Sequence, residues 1–502
     1  MSHPHLLLKW KTRDVKRDRG FYIVERVAPP ERSLMVNDSD LSTMACALLE
    51  RMYYCKVGNH FLPPPIPRTS IIFATLKPFR DRICKVLGRH SKRVSTEQFV
   101  LMCPPRKRPI YQKAEEDFHL YGVSKKHAHS VMFVKMEKVN PTKAPRCIQP
   151  RSPIYNLALG VYLKPIEHKV YKKIQVLFSS DVPVVFKGLN VGGMGAAMRC
   201  KWESFRKPVA IGLDATKFDM HVSVGMLKWE HSVYNHMFGN DSELAKLLGW
   251  QLNNVGRGFA HNGTLSYKVT GRRFSGDMNT ALGNCLIMCA MIYCWAKTKG
   301  VKIQLANNGD DAVVFMEHED MPLFSAGLHD WFLTLGFRMV VEKPVHTFEE
   351  IEFCQMHPVY DGSSYRMVRN FSSSREKDSI CLLRLTKETD YYKWLGAVGE
   401  CGLALTSGIP VLQSFYGSYC RKGIRSRMND AVSMQSGMLF MSRGMEAKWE
   451  AVKEESRYSF FLAFGITPDE QRALEIYYDE LELEFGKIET IDCIDEIESS
   501  PF

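Results

Sequence analysis

The sequence predicts an α+β fold, and three features carry the prediction. Short apolar runs that end at acids or at an Asn-Gly turn, Val209–Asp214 (VAIGLD) and the two halves of Lys302–Met316, read as strands. An apolar stretch, Leu286–Trp295 (LIMCAMIYCW), reads as a core helix. Near the end, Thr467, Pro468 and Glu470 form a capping box with Pro at the first helical position, opening a helix expected to reach about Phe485. The 502 residues are 45% hydrophobic, 24% charged and 11% aromatic, which excludes disordered and fibrous classes and leaves enough apolar material for a large core.

Along the chain, Ser39–Tyr54 has helical spacing of Leu41, Met44, Ala45, Leu48, Leu49 and Met52, and the loop Phe61–Pro67 (FLPPPIP) ends it. Residues 1–95 read as an N-terminal extension and outer layer. Cys103–Pro109 (CPPRKRP) is either a solvated loop or a phosphate-contacting one at a channel mouth. No run approaches the ~18 consecutive apolar residues of a membrane span, and the basic start leads into no apolar signal core, so neither secretion nor a helical anchor of its own is expected. The 14 cysteines have no framework spacing and read as reduced thiols. Charge is uneven: residues 1–200 hold 35 Lys and Arg against 15 Asp and Glu, whereas the rest hold 32 against 40. A basic half joined to an acidic half fits a polyanion groove beside a carboxylate metal site, although solvated basic faces give the same count.

The acids follow a pattern. A strand over Val209–Asp214 delivers Asp214 to its end, and Asp219 follows in DATKFD. Lys302–Ala306, the turn Asn307-Asn308-Gly309-Asp310-Asp311, and Ala312–Met316 read as a hairpin with adjacent aspartates on its tip. Adjacent aspartates repel unless a cation intervenes, so a pair of Mg²⁺ ions bridging Asp214 and Asp310 would create a phosphoryl-transfer centre; a plain polar hairpin tip is the bland alternative. Between these sites a loop, Ser275-Gly276-Asp277-Met278-Asn279, leads into the apolar helix, where Thr280 and Asn284 share one face and could meet a sugar. Cys285, Cys289 and Cys294 on that helix read as small core residues.

Asp214-x4-Asp219, Ser275-Gly276-x3-Thr280-x3-Asn284 and Gly309-Asp310-Asp311, in this order, resemble the palm signature of the RNA-dependent RNA polymerases of positive-strand RNA viruses. KPVAIGLDATKFDMHVS, YKVTGRRFSGDMNTALGNCLIMCAM, LANNGDDAVVF and IEFCQMHPVY are similar in wording to the replicases of the tombusvirus and carmovirus family, Tombusviridae, over about residues 95–420. The resemblance implies Asp214, Asp310 and Asp311 as catalytic acids and ligands of Mg²⁺ or Mn²⁺, and Asp219 and Asn284 as readers of the ribose 2′-hydroxyl, with Ser275, Gly276 and Thr280 assisting. It implies a basic finger loop, motif F, in which Arg146 and Arg151, then Lys138 and Lys143, bind the triphosphate. It places Lys343 where such polymerases hold a lysine able to protonate pyrophosphate, and Glu352-Phe353-Cys354-Gln355 in a hairpin under the primer, with Cys354 packed rather than reactive.

The implied architecture is a right hand with a ferredoxin-like palm core. Fingers are expected over 96–208 and 223–262, palm over 209–222 and 263–360, thumb over 361–485, and an acidic tail over 486–502. RNA template, nascent RNA and NTPs are the implied partners, together with a membrane-associated viral auxiliary protein that recruits the chain to replication complexes in the host cytoplasm. Self-association into a homo-oligomer is a further expectation. A non-catalytic RNA-binding accessory protein is the competing class, and within enzymes a reverse transcriptase.

Overall fold

A computed structural model of the chain describes residues 4–11, 22–24, 26–28, 34–383, 385, 387–426 and 437–485; the acidic tail lies outside the described residues. Its centre is a four-stranded antiparallel sheet in the order Gln304–Asn308, Asp311–Glu317, Pro208–Ala215, Met339–Val341. The helix Thr280–Lys299 lies between the first and second of these strands in chain order, and Leu328–Thr334 between the third and fourth, giving a β-α-β-β-α-β unit with insertions.

Alternation along the strands separates the two faces. Val209, Ile211 and Leu213, with Ala312, Val314 and Met316, pack on the long helix, whereas Ala210, Val313 and Phe315 pack on Met194 and Met198 of the Val191–Glu203 helix and on Phe353. Leu282 to Ala296 of the long helix are buried without interruption, so Cys285, Cys289 and Cys294 are core residues, as their size suggests. Among the described residues this is the one helix long and apolar enough to cross a membrane, and 83% of its apolar window is buried inside the protein.

A five-stranded sheet stands beside this unit, in the order Leu6–Trp10, Gly263–Thr270, Asn253–Ala260, Ser130–Val134, Cys147–Ile148. The helix Leu41–Leu48 covers one face, burying Leu41, Met44 and Leu48 against Met132, Val134, Leu265 and Tyr267. Asp40 caps that helix by accepting from the Thr43 amide at 2.7 Å, and the segment expected to be helical to Tyr54 continues as a π-helix over Leu49–Tyr53.

The described parts of residues 1–95 join remote strands and the central core. Leu6–Trp10 pairs with Gly263–Thr270, Tyr22–Ile23 with Ile380–Cys381, and Met35–Val36 with Lys138–Val139, while Ile72, Phe79 and Ile83 enter the central core. Each of these partners is remote in the chain, which is why local pattern gave no sign of them. The C-terminal helices Glu388–Thr406, Leu412–Lys422, Glu454–Phe464 and Pro468–Glu480 form a separate core that includes Tyr22, Val24 and Val27. The capping box closes as expected, with the Thr467 amide donating to Glu470 at 2.8 Å, but the helix stops at Glu480 because Leu481 turns extended.

Candidate active site

Pairing of Asn308 with Asp311 leaves Gly309 and Asp310 as a two-residue turn. Gly309 has φ 91°, which a side chain would strain, and the buried Asn307 amide braces the turn by donating to the Gly309 and Asp311 carbonyls at 2.8 and 3.1 Å. Of the two adjacent aspartates only Asp310 stands on the turn; Asp311 is already in the strand, directly opposite Asp214 and on the same face. Burial and then the neighbouring Asp310 push the Asp214 carboxyl above the ordinary range. The same two causes push Asp311 up to about 6. Lys143 counters Asp214, and Lys187, whose ammonium is close to Gly309, counters Asp311. Cys354 and Gln355, both at positive φ (54° and 62°), form the turn of the next hairpin, and the Asn308 amide donates to Cys354 Sγ at 3.1 Å. Burial pushes this thiol up to about 12, so it stays protonated against Asp311.

Asp219 and Asn284 meet. Asn284 Nδ2 donates to Asp219 Oδ1 at 2.9 Å, and Asn284 Oδ1 accepts from Arg273 Nε at 3.1 Å. Arg273 is held by a fully buried ion pair with Glu230, which also accepts from Asn279 at 2.7 Å and from Tyr234 at 2.8 Å. Gly283 leaves room for that pair, since a Cβ there would lie 2.3 Å from the guanidinium. Burial, opposed by the Asn284 hydrogen bond and reinforced by Asp310, pushes Asp219 up to about 6. Arg273, Glu230 and Asn279 were not singled out from the sequence; the GRRF and GDMN strings carry two of them but say nothing of Glu230.

The other loop residues serve the scaffold. Thr280 Oγ1 donates to the carbonyls of Phe274 and Asp277 at 2.7 and 3.0 Å, closing the loop on itself rather than facing a sugar. Gly276 lets the loop lie against the Gln149–Pro150 backbone, because a Cβ would meet Pro150 Cα at 2.5 Å. Ser275 donates to the Cys147 carbonyl at 3.1 Å and borders a cavity of about 270 Å³. Arg51, Lys135, Arg146 and Lys217 line that cavity opposite Asp219 and Asp310. Arg51 and Arg146 also border a second, adjoining cavity of about 720 Å³ with Lys138, Lys143 and Lys377. Burial alone would raise Glu137, but Arg146 and Lys135 grip it and hold its carboxyl below the ordinary range.

Acids in register on neighbouring strands, with Asp310 of the adjoining turn on a cation-lined cavity, are the setting in which the sequence comparisons acquire meaning. The family described as viral RNA dependent RNA polymerase matches residues 7–486. This chain belongs to that family. It is 43% identical to the RNA-directed RNA polymerase of turnip crinkle virus over 461 residues, covering 89% of this chain and 58% of the relative. Identity to the enzyme of the same name from tobacco necrosis virus (strain A) is 43% over 459 residues, covering 90% and 63%, and to that of melon necrotic spot virus 42%, covering 90% and 58%. The chain thus spans about six-tenths of the length of these curated relatives.

Within this family member, one expected phosphate ligand, Arg151, is placed otherwise. Arg151 is buried, paired with Asp277 and bonded to the Ala128 carbonyl and to Asn254 Oδ1 at 2.8 Å, so it is a strut between the five-stranded sheet and the Ser275–Asn279 loop. Its basicity was visible in the sequence, whereas Asp277 is 126 residues away. Lys138 borders the second cavity, where its ammonium donates to the Lys377 carbonyl and burial lowers it to about 8. Arg146 and Lys143 do face the cavities, joined by Arg51, Lys135 and Lys217. Lys343 is exposed, and its neighbour Glu342 instead lies over Gly212, where a Cβ would come within 1.9 Å of its carboxylate. Burial, Glu352, Asp214 and Asp311 together raise Glu342.

The donor set fits a hard divalent cation. Asp214, Asp310 and Asp311 offer carboxylate oxygens only, the ligands that suit Mg²⁺ or Mn²⁺. Their mutual repulsion, which adds to burial in raising Asp214 and Asp311, is what a cation would relieve. Among the described residues the set of three ligand-type side chains with donor atoms all within 4.8 Å of one another is Glu97, Glu115 and His119 on the outer helices, not the aspartates. Bringing oxygens of several like charges to one point takes a cation between them.

Proposed function

We propose that this chain is the polymerase portion of a viral replicase and synthesises RNA on an RNA template from ribonucleoside triphosphates, copying a positive-strand viral genome. The observation that carries the reading is Asp214 opposite Asp311, with Asp310 of the adjoining turn bordering a cavity that Arg51, Lys135, Arg146 and Lys217 also line. Asp214, Asp310 and Asp311 would hold two divalent ions, which when bound supply charge neutralisation at the attacking and leaving oxygens. The chain's own residues do the rest. Arg146, with Arg51 and Lys135 beside it, draws the triphosphate in through charge-assisted hydrogen bonds. Asp219 and Asn284 receive the 2′-hydroxyl, and Arg273 keeps the Asn284 amide in one orientation, so a deoxynucleotide leaves desolvated partners unpaired.

In this reading the β-α-β-β-α-β unit is the ferredoxin-like palm of a right hand. The five-stranded sheet belongs to the fingers, the C-terminal helical core is the thumb, and residues 1–95 tie fingers to thumb. A membrane-associated auxiliary protein recruits the chain to replication complexes in the host cytoplasm. An RNA-binding accessory protein would explain the basic half but gives the three acids no task. NTP incorporation on a primer-free RNA template, resolved on a sequencing gel, separates the two. Template-length product from NTPs but not from dNTPs is expected; binding without synthesis would favour the accessory, and equal use of dNTPs a reverse transcriptase.

A further inference from the structure

The five-stranded sheet has one face packed on the Leu41–Leu48 helix and the other left open among the described residues. Register identifies the open face. Lys9 lies opposite Thr264, Thr264 opposite Phe259, and Phe133 opposite Ile148, while Leu7, Ser266, Arg257 and Val131 make a parallel row. Phe259, Val131 and Phe133 are 60%, 53% and 46% exposed, an unusual set of apolar side chains for water to wet side by side. The five strands contain Lys9, Arg257 and Lys268 and not one acid. Positive potential extends past the strand end, where burial and then Arg257, Lys125, Arg151 and Lys126 hold His129 below its ordinary range. The face also has a direction, since Ile148 at its edge lines the same cavity as Asp219 and Asp310.

We infer that this open face is a platform for single-stranded RNA, on which bases of the incoming template stack on Phe259 and Phe133 while Arg257, Lys9 and Lys268 hold the phosphates, leading the strand over Ile148 to the aspartates. Aromatic rings flanked by cations on a sheet face bind single strands because every base has a π-face and every linkage a charge. A protein partner would suit the apolar residues but gives no reason for the absence of acids. The inference rests on the polymerase reading for the destination of the strand, not for the binding itself.

The experiment uses the full chain and primer–template RNAs with a single-stranded template overhang of either about two or about ten nucleotides, since a single-strand site of this kind takes several nucleotides. Wild type should bind the long overhang at least tenfold more tightly. F259A/R257A, both exposed and outside the catalytic cluster, should lose most of that preference, and the salt slope for the long overhang should fall by about 0.7 for the cation removed. Extension of the short-overhang RNA should keep its wild-type rate. R257K should retain the slope, and 5-iodouracil in the overhang should crosslink to the peptides containing Phe259 or Phe133. An unchanged overhang preference in F259A/R257A, or crosslinks confined to other segments, would overturn the inference. Failure of wild type to extend either RNA would instead overturn the polymerase reading, with the overhang dependence still reporting on the face.

Discussion

Asp311→Asn should stabilise the metal-free protein while abolishing its response to Mg²⁺. Asp311 is held at about 6 against the ordinary 3.8, by burial first and then by Asp310 and Asp214. At about 1.4 kcal/mol per tenfold change, the ionised carboxylate withholds about 2–3 kcal/mol of folding free energy near pH 7. The folded state binds the proton more tightly than the unfolded one, so metal-free stability falls as pH rises from about 4 to about 6 and is flat above. Asparagine removes the charge and keeps the shape. Thermal unfolding in EDTA should show the variant melting a few degrees above wild type near pH 7, with the gap closing near pH 4. Saturating Mg²⁺ should raise wild type, by mass action on the folded state, and leave the variant nearly unmoved. A variant that melts below wild type in EDTA, or responds equally to Mg²⁺, would refute the reasoning that mutual repulsion at this cluster is relieved by a cation.

Three further outcomes follow from particular contacts. Asn284→Ala should slow ATP use more than dATP use on a poly(U) template, narrowing the ratio of kcat/KM between the sugars; an unchanged ratio would make Asn284 a packing residue only. Arg146→Ala should raise the apparent KM for NTP more than it weakens template binding, whereas a defect confined to RNA retention would move Arg146 to the template path. Arg151→Ala strands the buried Asp277 charge and should cost about 3–5 kcal/mol of stability in denaturant titrations; near-wild-type stability with impaired NTP binding would restore Arg151 to the triphosphate.

What the sequence disclosed is the chemistry that is local. The strand ending near Asp214, the hairpin at Gly309 and the cap at Thr467 each declare themselves within a few residues, because turn and capping geometry depends on neighbours in the chain. Spacing of the acids, with the Ser275–Asn284 loop between them, was enough for the family. What stayed hidden depends on partners far away. Arg151 looks like any finger-loop arginine until Asp277 closes on it, Arg51 looks like a helix-surface residue until it lines the cavity, and Lys187 gains meaning only when it stands beside Gly309. Residues 1–95 carry no mark of their three remote strand pairings. Glu342 was masked by its neighbour Lys343, since one residue of register decides which of them faces Gly212.

The most direct test of the acid cluster as the catalytic centre is single-nucleotide incorporation on a primed RNA template by Asp310→Asn. Asp310 stands on the exposed turn and makes no fold-defining pair, so the variant should fold and retain RNA within about twofold of wild type. Incorporation should fall by at least about a thousandfold in saturating Mg²⁺, the scale on which loss of a transition-state charge partner acts. Incorporation within about threefold of wild type would contradict the assignment of Asp214, Asp310 and Asp311 to the chemistry.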